Sequence, residues 1–265
     1  MDMPITFAGS AAGRWVAEAR AAHRSAIPTV ATQVPSGYPA VARIFHPARD
    51  FDGRPVRWAA VAAARGTVFH AGAQFAALAG IDEAGYALCE DAWEGDAPIA
   101  HGLPQPDLAQ LAGLLAAHTA TPDQICLGLW NGYAFAAGVT AEDGARIELT
   151  AAQQADVLEL DPSGYQTYWV FRGGAADLAD PLWAGNDVVA ERQAPDLAWP
   201  ADRAWFLSTE LYEDSTLLAG PAELIRAVVE HPGLEALPVG RDVRLDAEGD
   251  EINPLPAEPD EDPEA

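Results

Sequence analysis

The stretch WPADRAWFLSTELYEDSTLLAGPAELIRAVV, residues 199–229, constrains the fold more than any other part of the chain. Residues 204–211 are apolar and β-compatible, with charged or turn-forming neighbours on both sides. Tyr212, Glu213, Asp214 and Ser215 supply a polar turn, and residues 216–219 return antiparallel. A four-residue loop sets Leu211 opposite Thr216 and Glu210 opposite Leu217. Side chains alternate across a strand, so Trp205, Leu207, Thr209 and Leu211 share one face. Phe206, Ser208 and Glu210 share the other. Gly220-Pro221 then opens a helix, because proline fits the first helical position, where its missing N–H costs nothing. Leu224, Ile225, Val228 and Val229 form one stripe at helical spacing, and His231-Pro232-Gly233 stops it. The stretch predicts a β-β-α unit with Trp205 in the core beneath the Leu224/Val228 stripe.

Elsewhere the pattern is coarser. Residues 12–24 read as a short helix with Trp15, Val16 and Ala19 inward, and residues 38–45 as a strand closed by His46-Pro47. An Ala-rich helical run covers 54–65, and a shorter one 74–79. The clearest other helix is 105–118, where Leu108, Leu111, Leu114 and Leu115 share a face and Asp107 suits the N-terminal dipole. Residues 125–133 read as a strand apolar on both sides and hence central. Further strands are expected at 147–149, 165–172 and 241–245, and a loop at 177–195. Strands mostly follow one another without alternating helices. The expected fold is therefore α+β, a largely antiparallel sheet with a C-terminal β-β-α unit and packed helices. A globular part covers 1–245, with a boundary between two lobes placed near 80–104. Residues 246–265, rich in Pro, Glu and Asp, are expected to be a disordered acidic tail.

Several of these residues also carry a resemblance. Trp199-Pro200-Ala201-Asp202-Arg203-Ala204-Trp205, then Thr209-Glu210, Ser215-Thr216 and Gly220, resemble the signature of an uncharacterised actinobacterial protein family. Tyr38, Arg43, His46-Pro47, Arg57-Trp58, His118-Thr119, Thr121-Pro122-Asp123 and Leu129-Trp130-Asn131-Gly132-Tyr133 fit the same pattern, which runs roughly from Tyr38 to Asn253. The chain departs from it at Ala198, where the family has a second Trp. It has Glu210-Leu211-Tyr212 in place of a Glu-x-Asp triplet, and Ala219-Gly220 in place of a Gly pair. These departures argue against an indispensable role for the missing Asp or Gly. No activity is attached to that family, so the resemblance carries no function to this chain.

Charge narrows the partners. The formal net charge is −25, and residues 246–265 hold nine acids and no base, leaving −16 on residues 1–245. Such a surface disfavours nucleic acid and anionic membranes, both of which need basic patches, and it suits a basic protein partner. Every basic residue other than histidine is Arg, which removes Schiff-base and P-loop lysines. The N-terminus lacks a secretory pattern and no apolar run nears the ~20 residues that span a bilayer, so a cytoplasmic protein is expected. The two cysteines, Cys89 and Cys126, are expected to be reduced and buried.

Motifs that carry chemistry are absent from the sequence. The six histidines show no metal-ligand spacing, no Gly-x-Ser-x-Gly elbow occurs, and Ala219-Gly220-Pro221 is a poor phosphate cradle, so neither metal nor cofactor is expected. What remains is an acidic set for acid/base work, Asp202, Glu210, Glu213 and Asp214, and a candidate binding set of Asp202, Arg203, Glu210, Asp214, Thr216, Trp130, Asn131 and His46. The bland account of its acids is a turn, a helix-dipole residue and a surface ion pair. Two functions fit: a non-catalytic binding or interaction module, analogous to toxin-neutralising immunity proteins, or a small hydrolase or transferase using Asp, Glu and His in a cleft. The second requires Asp202, Glu210 and a histidine to converge in one pocket.

Overall fold

The structure, a computed structural model, describes residues 5–253 apart from 83, 101, 133–148, 162, 180–193 and 212. In chain order its elements are β1 (Thr6–Phe7), α1 (Arg14–Ala21), α2 (Val30–Gln33), β2 (Ala40–Phe45), β3 (Ala48–Arg49), β4 (Pro55–Val56), α3 (Trp58–Arg65), α4 (Phe75–Ala79) and α5 (Gln105–Ala117). Next come β5 (Ile125–Trp130), α6 (Ala151–Gln154), β6 (Leu158–Glu159), β7 (Thr167–Gly173) and α7 (Ala176–Ala179). The chain closes with β8 (Leu197–Pro200), β9 (Phe206–Ser208), β10 (Ser215–Gly220), α8 (Ala222–Val229) and β11 (Ala236–Pro238).

A nine-stranded sheet runs β1-β7-β5-β8-β9-β10-β2-β11, with β6 also paired to β7, and β3 and β4 form a separate hairpin. The pairings are antiparallel, and with helices packed against the sheet the fold is α+β. Strands from both sides of residues 80–104 enter this one sheet, β2 from before and β5 from after. That segment therefore joins parts of a single sheet.

Alternation along the strands divides the core in two. On one face Leu127, Phe171, Trp205, Leu207 and Leu218 meet Leu111 and Leu115 of α5 and Leu224 and Val228 of α8. On the other, Val170, Trp199, Phe206 and Leu217 meet Val16 of α1 and Val30 of α2. Trp205 is fully buried, and its indole N–H donates to Leu115 O at 3.0 Å. A third cluster, with Phe45, Trp58, Phe75 and Leu78, seats α3 and α4 beyond the end of β2.

The hairpin differs from expectation in register. Leu217 pairs with Ser208, and Glu210 is already in the loop. Thr209 leaves β10 to donate its N–H to Asp196 O at 2.7 Å, and Glu213 N–H closes onto Glu210 O at 3.1 Å. The offset is two residues, one full side-chain period, so the face assignments survive. The last strand is Ala236–Pro238, which pairs with β2; residues 241–245 turn instead, with Val243 N–H bonded to Gly240 O. Of the strand expected at 147–149, only Leu149 lies within the described residues, and most of the loop expected at 177–195 lies outside them.

The tail assigned from Asp246 starts too early. Asp250 and Asn253 are buried: Asp250 meets His70 Nε2 at 2.9 Å, and Asn253 exchanges two 2.8 Å hydrogen bonds with Val68. Specific pairing outweighs the disorder-prone composition there, while 254–265 lies outside the described residues. Both cysteines are free thiols, but only Cys126 is buried; Cys89 is half-buried beside Arg65. Among the described residues no helix is long and apolar enough to cross a membrane.

Candidate functional site

Antiparallel pairing sorts the connections to two ends of the sheet. One end gathers Trp130, Thr167, Leu197, Ser208, Ser215 and Phe45; the other gathers Ile125, Gly173, Pro200, Phe206, Gly220 and Ala40. A strand of six residues such as β5 separates the ends by roughly 17 Å at about 3.3 Å per residue. His46, Trp130, Asn131, Glu210, Asp214 and Thr216 fall at the first end, and Asp202 and Arg203 at the second. The structure therefore does not bring Asp202 and Glu210 together with a histidine.

At the first end lies a cleft of about 680 Å³ between the α1–α2 region and the loop 209–214, lined by Arg20, Gln33, Tyr165, Gln166, Glu210 and Glu213 among others. Helical spacing aims Val16 and Arg20, one turn apart, inward from α1. Val16 packs in the core, while Arg20 reaches the cleft. Its Nε donates to Thr32 O at 2.9 Å, its Nη2 to Gln166 Oε1 at 3.4 Å, and its Nη1 stands 2.7 Å from Glu210 Oε1. Gln166 Nε2 also donates to Glu210 Oε2. Glu210 is thus no surface group: it is 6% exposed and shares the face of Phe206, toward α1 and α2.

Glu213 sits differently. Its nearest donor is Gln33 Nε2, at 3.4 Å from Oε1. Burial, with the neighbouring charges of Asp214 and Glu210, pushes its pKa up to about 8, against a partial pull downward from Arg43. A carboxyl in that condition is protonated at neutral pH.

Beneath the loop, Arg43 of β2 is fully buried. Its Nε donates to Ser215 Oγ at 2.8 Å and its Nη1 to Ala73 O at 2.7 Å, while Nη2 lies 3.6 Å from Asp214. Burial still raises the Asp214 carboxyl, because it outweighs the attraction of Arg43. Beside it, His46 Nε2 meets Thr216 Oγ1 at 2.9 Å, Thr216 Oγ1 meets Thr209 Oγ1 at 2.6 Å, and His46 Nδ1 meets Ile99 O at 2.7 Å. His46 and Thr216 are both 0% exposed, so this hydroxyl–imidazole contact is closed to any substrate. Trp130 and Asn131 buttress the cleft wall from behind. Trp130 Nε1 donates to Tyr165 O at 2.8 Å, and Asn131 Oδ1 accepts from Thr167 Oγ1 at 2.5 Å. Buried Asp196 ties this wall to the loop, accepting from Trp130 N–H at 2.7 Å through its side chain and from Thr209 N–H at 2.7 Å through its carbonyl.

At the opposite end Asp202 is exposed and acts as a clasp. Its carboxylate accepts from Thr119 Oγ1 at 2.8 Å, Ala120 N–H at 2.7 Å and Ala204 N–H at 3.1 Å. Desolvation raises its pKa, but those hydrogen bonds outweigh it and hold the carboxyl below its ordinary value. Arg203 adopts a left-handed φ of 56°, lays its guanidinium over the Trp15 ring at 4.7 Å, and accepts Tyr38 O–H on its carbonyl at 3.1 Å.

Sequence reasoning missed Arg20, Gln33, Gln166 and Asp196, and grouped Glu213 with Asp202, which the structure sends to the opposite end of the sheet. The one signal pointing toward them is the alternation that places Glu210 on the Phe206 face. Among the described residues no group of three or more His, Cys, Asp or Glu is placed to hold a metal ion. Comparison of the chain with protein-family models, with curated proteins and with solved structures gave no match.

Proposed function

We propose that this chain is a non-catalytic binding protein, cytoplasmic, whose acidic surface receives a basic protein partner, by analogy with proteins that neutralise a toxin by covering it. One observation carries the reading. The polar groups at the cleft end are committed to holding one another, Glu210 to Arg20 and Gln166, and Thr216 to His46 and Thr209. The hydroxyl that meets an imidazole there, Thr216 against His46, is sealed from solvent and cannot attack a substrate. The formal charge of −25 supplies long-range attraction for a cationic partner.

A hydrolase or transferase is favoured by a different observation, the protonated Glu213 lining a cleft, which is where a general acid belongs. Against it, the two other carboxylates that line the cleft are engaged, Glu210 with Arg20 and Asp161 with Ser163 Oγ and the N–H groups of Tyr165 and Gln166.

The test is titration of the full chain with an arginine-rich peptide and, separately, with a glutamate-rich one, at low and at high salt. Binding of the first alone, weakened by salt, is the expected result. Equal binding of both peptides, or of neither, overturns the reading.

A further inference from the structure

A second concavity lies at the opposite end of the sheet from the cleft. It is a groove of about 470 Å³ beside the Ala40–Gly220 pair, lined by Trp15, Tyr38, Pro39, Arg203, Ala204 and Pro221 among others. Arg203 is the single charged residue of that lining. Two aromatic rings, two proline rings and one cation on an otherwise uncharged wall suit an extended, proline-bearing segment that also carries an acid.

Arg203 is held ready in that wall. It is the one non-glycine among the described residues with a left-handed backbone, at φ 56°. That conformation is costly for a residue with a side chain and persists where the surroundings over-determine it. Here the Tyr38 hydroxyl donates to the Arg203 carbonyl at 3.1 Å, and the Trp15 ring takes the guanidinium at 4.7 Å. Trp15 is fixed in turn, edge-on to Trp199 at 6.0 Å and to Phe206 at 5.9 Å. Among the described residues the Arg203 guanidinium makes no hydrogen bond and no salt bridge. The carboxylate of neighbouring Asp202 is taken by Thr119, Ala120 and Ala204. A pinned guanidinium with its donors unused is preorganised for a carboxylate.

The chain carries a segment of that chemistry. Residues 254–265, outside the described residues, hold four prolines, five acids and no base. Their starting point is fixed, since Asn253 is bonded to Val68. The near edge of the groove is fixed from the same part of the chain: Arg241 Nη2 donates to Pro35 O at 2.9 Å, and the lining starts at Ser36. Between those two points the chain folds back, with Val243 beside Gly72 and Asp250 on His70. Residues 241–253 therefore span much less than their extended length. The twelve residues that follow reach roughly 37 Å at about 3.1 Å each, enough to return to Ser36 and enter the groove.

We propose that this groove is the docking site of the chain's own terminus, residues 259–265. The rings of Pro259 and Pro263 lie against Trp15 and Tyr38, and a carboxylate from the acidic run 260–262 takes the guanidinium of Arg203. Charge complementarity selects this occupant: a segment with no base meets a lining with no acid. Tethering gives the docking its strength, since a linked segment acts at an effective concentration of about 1 mM. A site with a Kd of about 0.1 mM is then about nine-tenths filled by its own terminus. The inference goes beyond the basic-partner reading and does not depend on it, because it concerns the other end of the sheet and an acidic ligand.

The probe is a fluorescent peptide with the sequence of residues 254–265. Anisotropy follows its binding to the full chain and to a full-chain variant carrying Pro259→Ala, Asp260→Asn, Glu261→Gln, Asp262→Asn and Pro263→Ala. Those five changes lie outside the described residues and alter no residue of the groove. The expected result is binding to the variant about tenfold tighter than to the unmodified chain, weakened by salt and lost when Arg203→Gln is added. Equal affinity for the two chains, or binding to neither, overturns self-docking. Binding that survives Arg203→Gln overturns the groove as its place. Where Arg203→Gln does not fold, hydrogen exchange at the amides of Ser36, Gly37 and Tyr38 decides: it should be slower in the unmodified chain than in the terminus variant, and equal rates overturn the proposal. Sedimentation tests a second copy as the receiver. A concentration-dependent dimer that the altered terminus abolishes would mean that the segment crosses between copies, and docking within one chain would be overturned.

Discussion

Asp202 and Glu213 lie eleven positions apart in one stretch, and the sheet sends them to opposite ends with opposite consequences. At one end an exposed carboxylate is saturated by donors from the loop 119–121 and from its own turn, and its pKa is held down. At the other, Glu210, Glu213 and Asp214 crowd over buried Arg43 and beside buried Arg20, and Glu213 has too few donors to keep its charge. The same side-chain chemistry serves as a clasp where donors are in excess and as a strained cluster where carboxyls are. Replacing each carboxylate by its amide leaves shape nearly unchanged, so three such swaps test the comparison directly.

The largest effect is expected for Glu210→Gln. It leaves the Arg20 guanidinium buried without its counter-charge, a loss of about 3–5 kcal/mol in the usual range for breaking a buried pair. Denaturant unfolding measures it. A cost near zero would mean that Arg20 reaches water, and the cleft end would then be an ordinary surface.

Glu213→Gln is expected to act in the opposite direction and to depend on pH. In the folded protein Glu213 keeps its proton up to about pH 8, while in the unfolded chain it loses it near its ordinary 4.5. The folded state thus binds more protons through that window, so stability falls as pH rises from about 4.5 to about 8 and is flat above. The amide does not suffer that fall. Equal stabilities at pH 4 should therefore become an advantage for Glu213→Gln on the order of 2–4 kcal/mol at pH 9. Asp214 is shifted the same way by burial, and Asp107 is raised to about 6, but both are common to the two proteins and cancel in the difference. Unfolding curves at both pH values check it, and a difference that does not grow with pH refutes the strained-carboxyl account.

These contrasts were legible in the sequence only in part. The Leu224/Val228 stripe, the helix over Leu108 and Leu115, and the buried Trp205 follow from local spacing, and local spacing is what the sequence records. The face of Glu210 was equally legible, because alternation survives an offset of two. What covers that face was not. Arg20 reads as a polar residue beside an amphipathic stripe and Gln33 as part of a loop, while Gln166 opens an aromatic strand. Gln33 and Glu213 are 180 positions apart, and Arg20 and Gln166 are 146 apart. Only the closing of the sheet against α1 and α2 brings them together, and no period or motif encodes that. Asp202 misled for the converse reason: it stands in the most regular stretch of the chain, where a turn clasp and a site residue look alike.

Asp202→Asn should have the smallest effect. The asparagine side chain keeps one carbonyl oxygen, which still accepts from Ala120 N–H or Thr119 Oγ1, and its new amide faces the donor it displaces. Both groups lie near solvent, so water satisfies whatever is lost, and the expected cost is about 1 kcal/mol or less. The pH signature is the mirror of that at Glu213. A carboxyl whose folded pKa is depressed stabilises the protein above its unfolded pKa, and that contribution fades as pH falls through the folded value. Wild type and Asp202→Asn should therefore differ slightly at pH 7 and converge on acidification, whereas the Glu213 pair converges in acid and diverges toward alkaline pH by far more. Thermal unfolding of the variants across both ranges compares the two ends on one scale. A loss of 3 kcal/mol or more at Asp202 would mean that the clasp is as strongly coupled as the cleft, and the contrast between the two ends of the sheet would collapse.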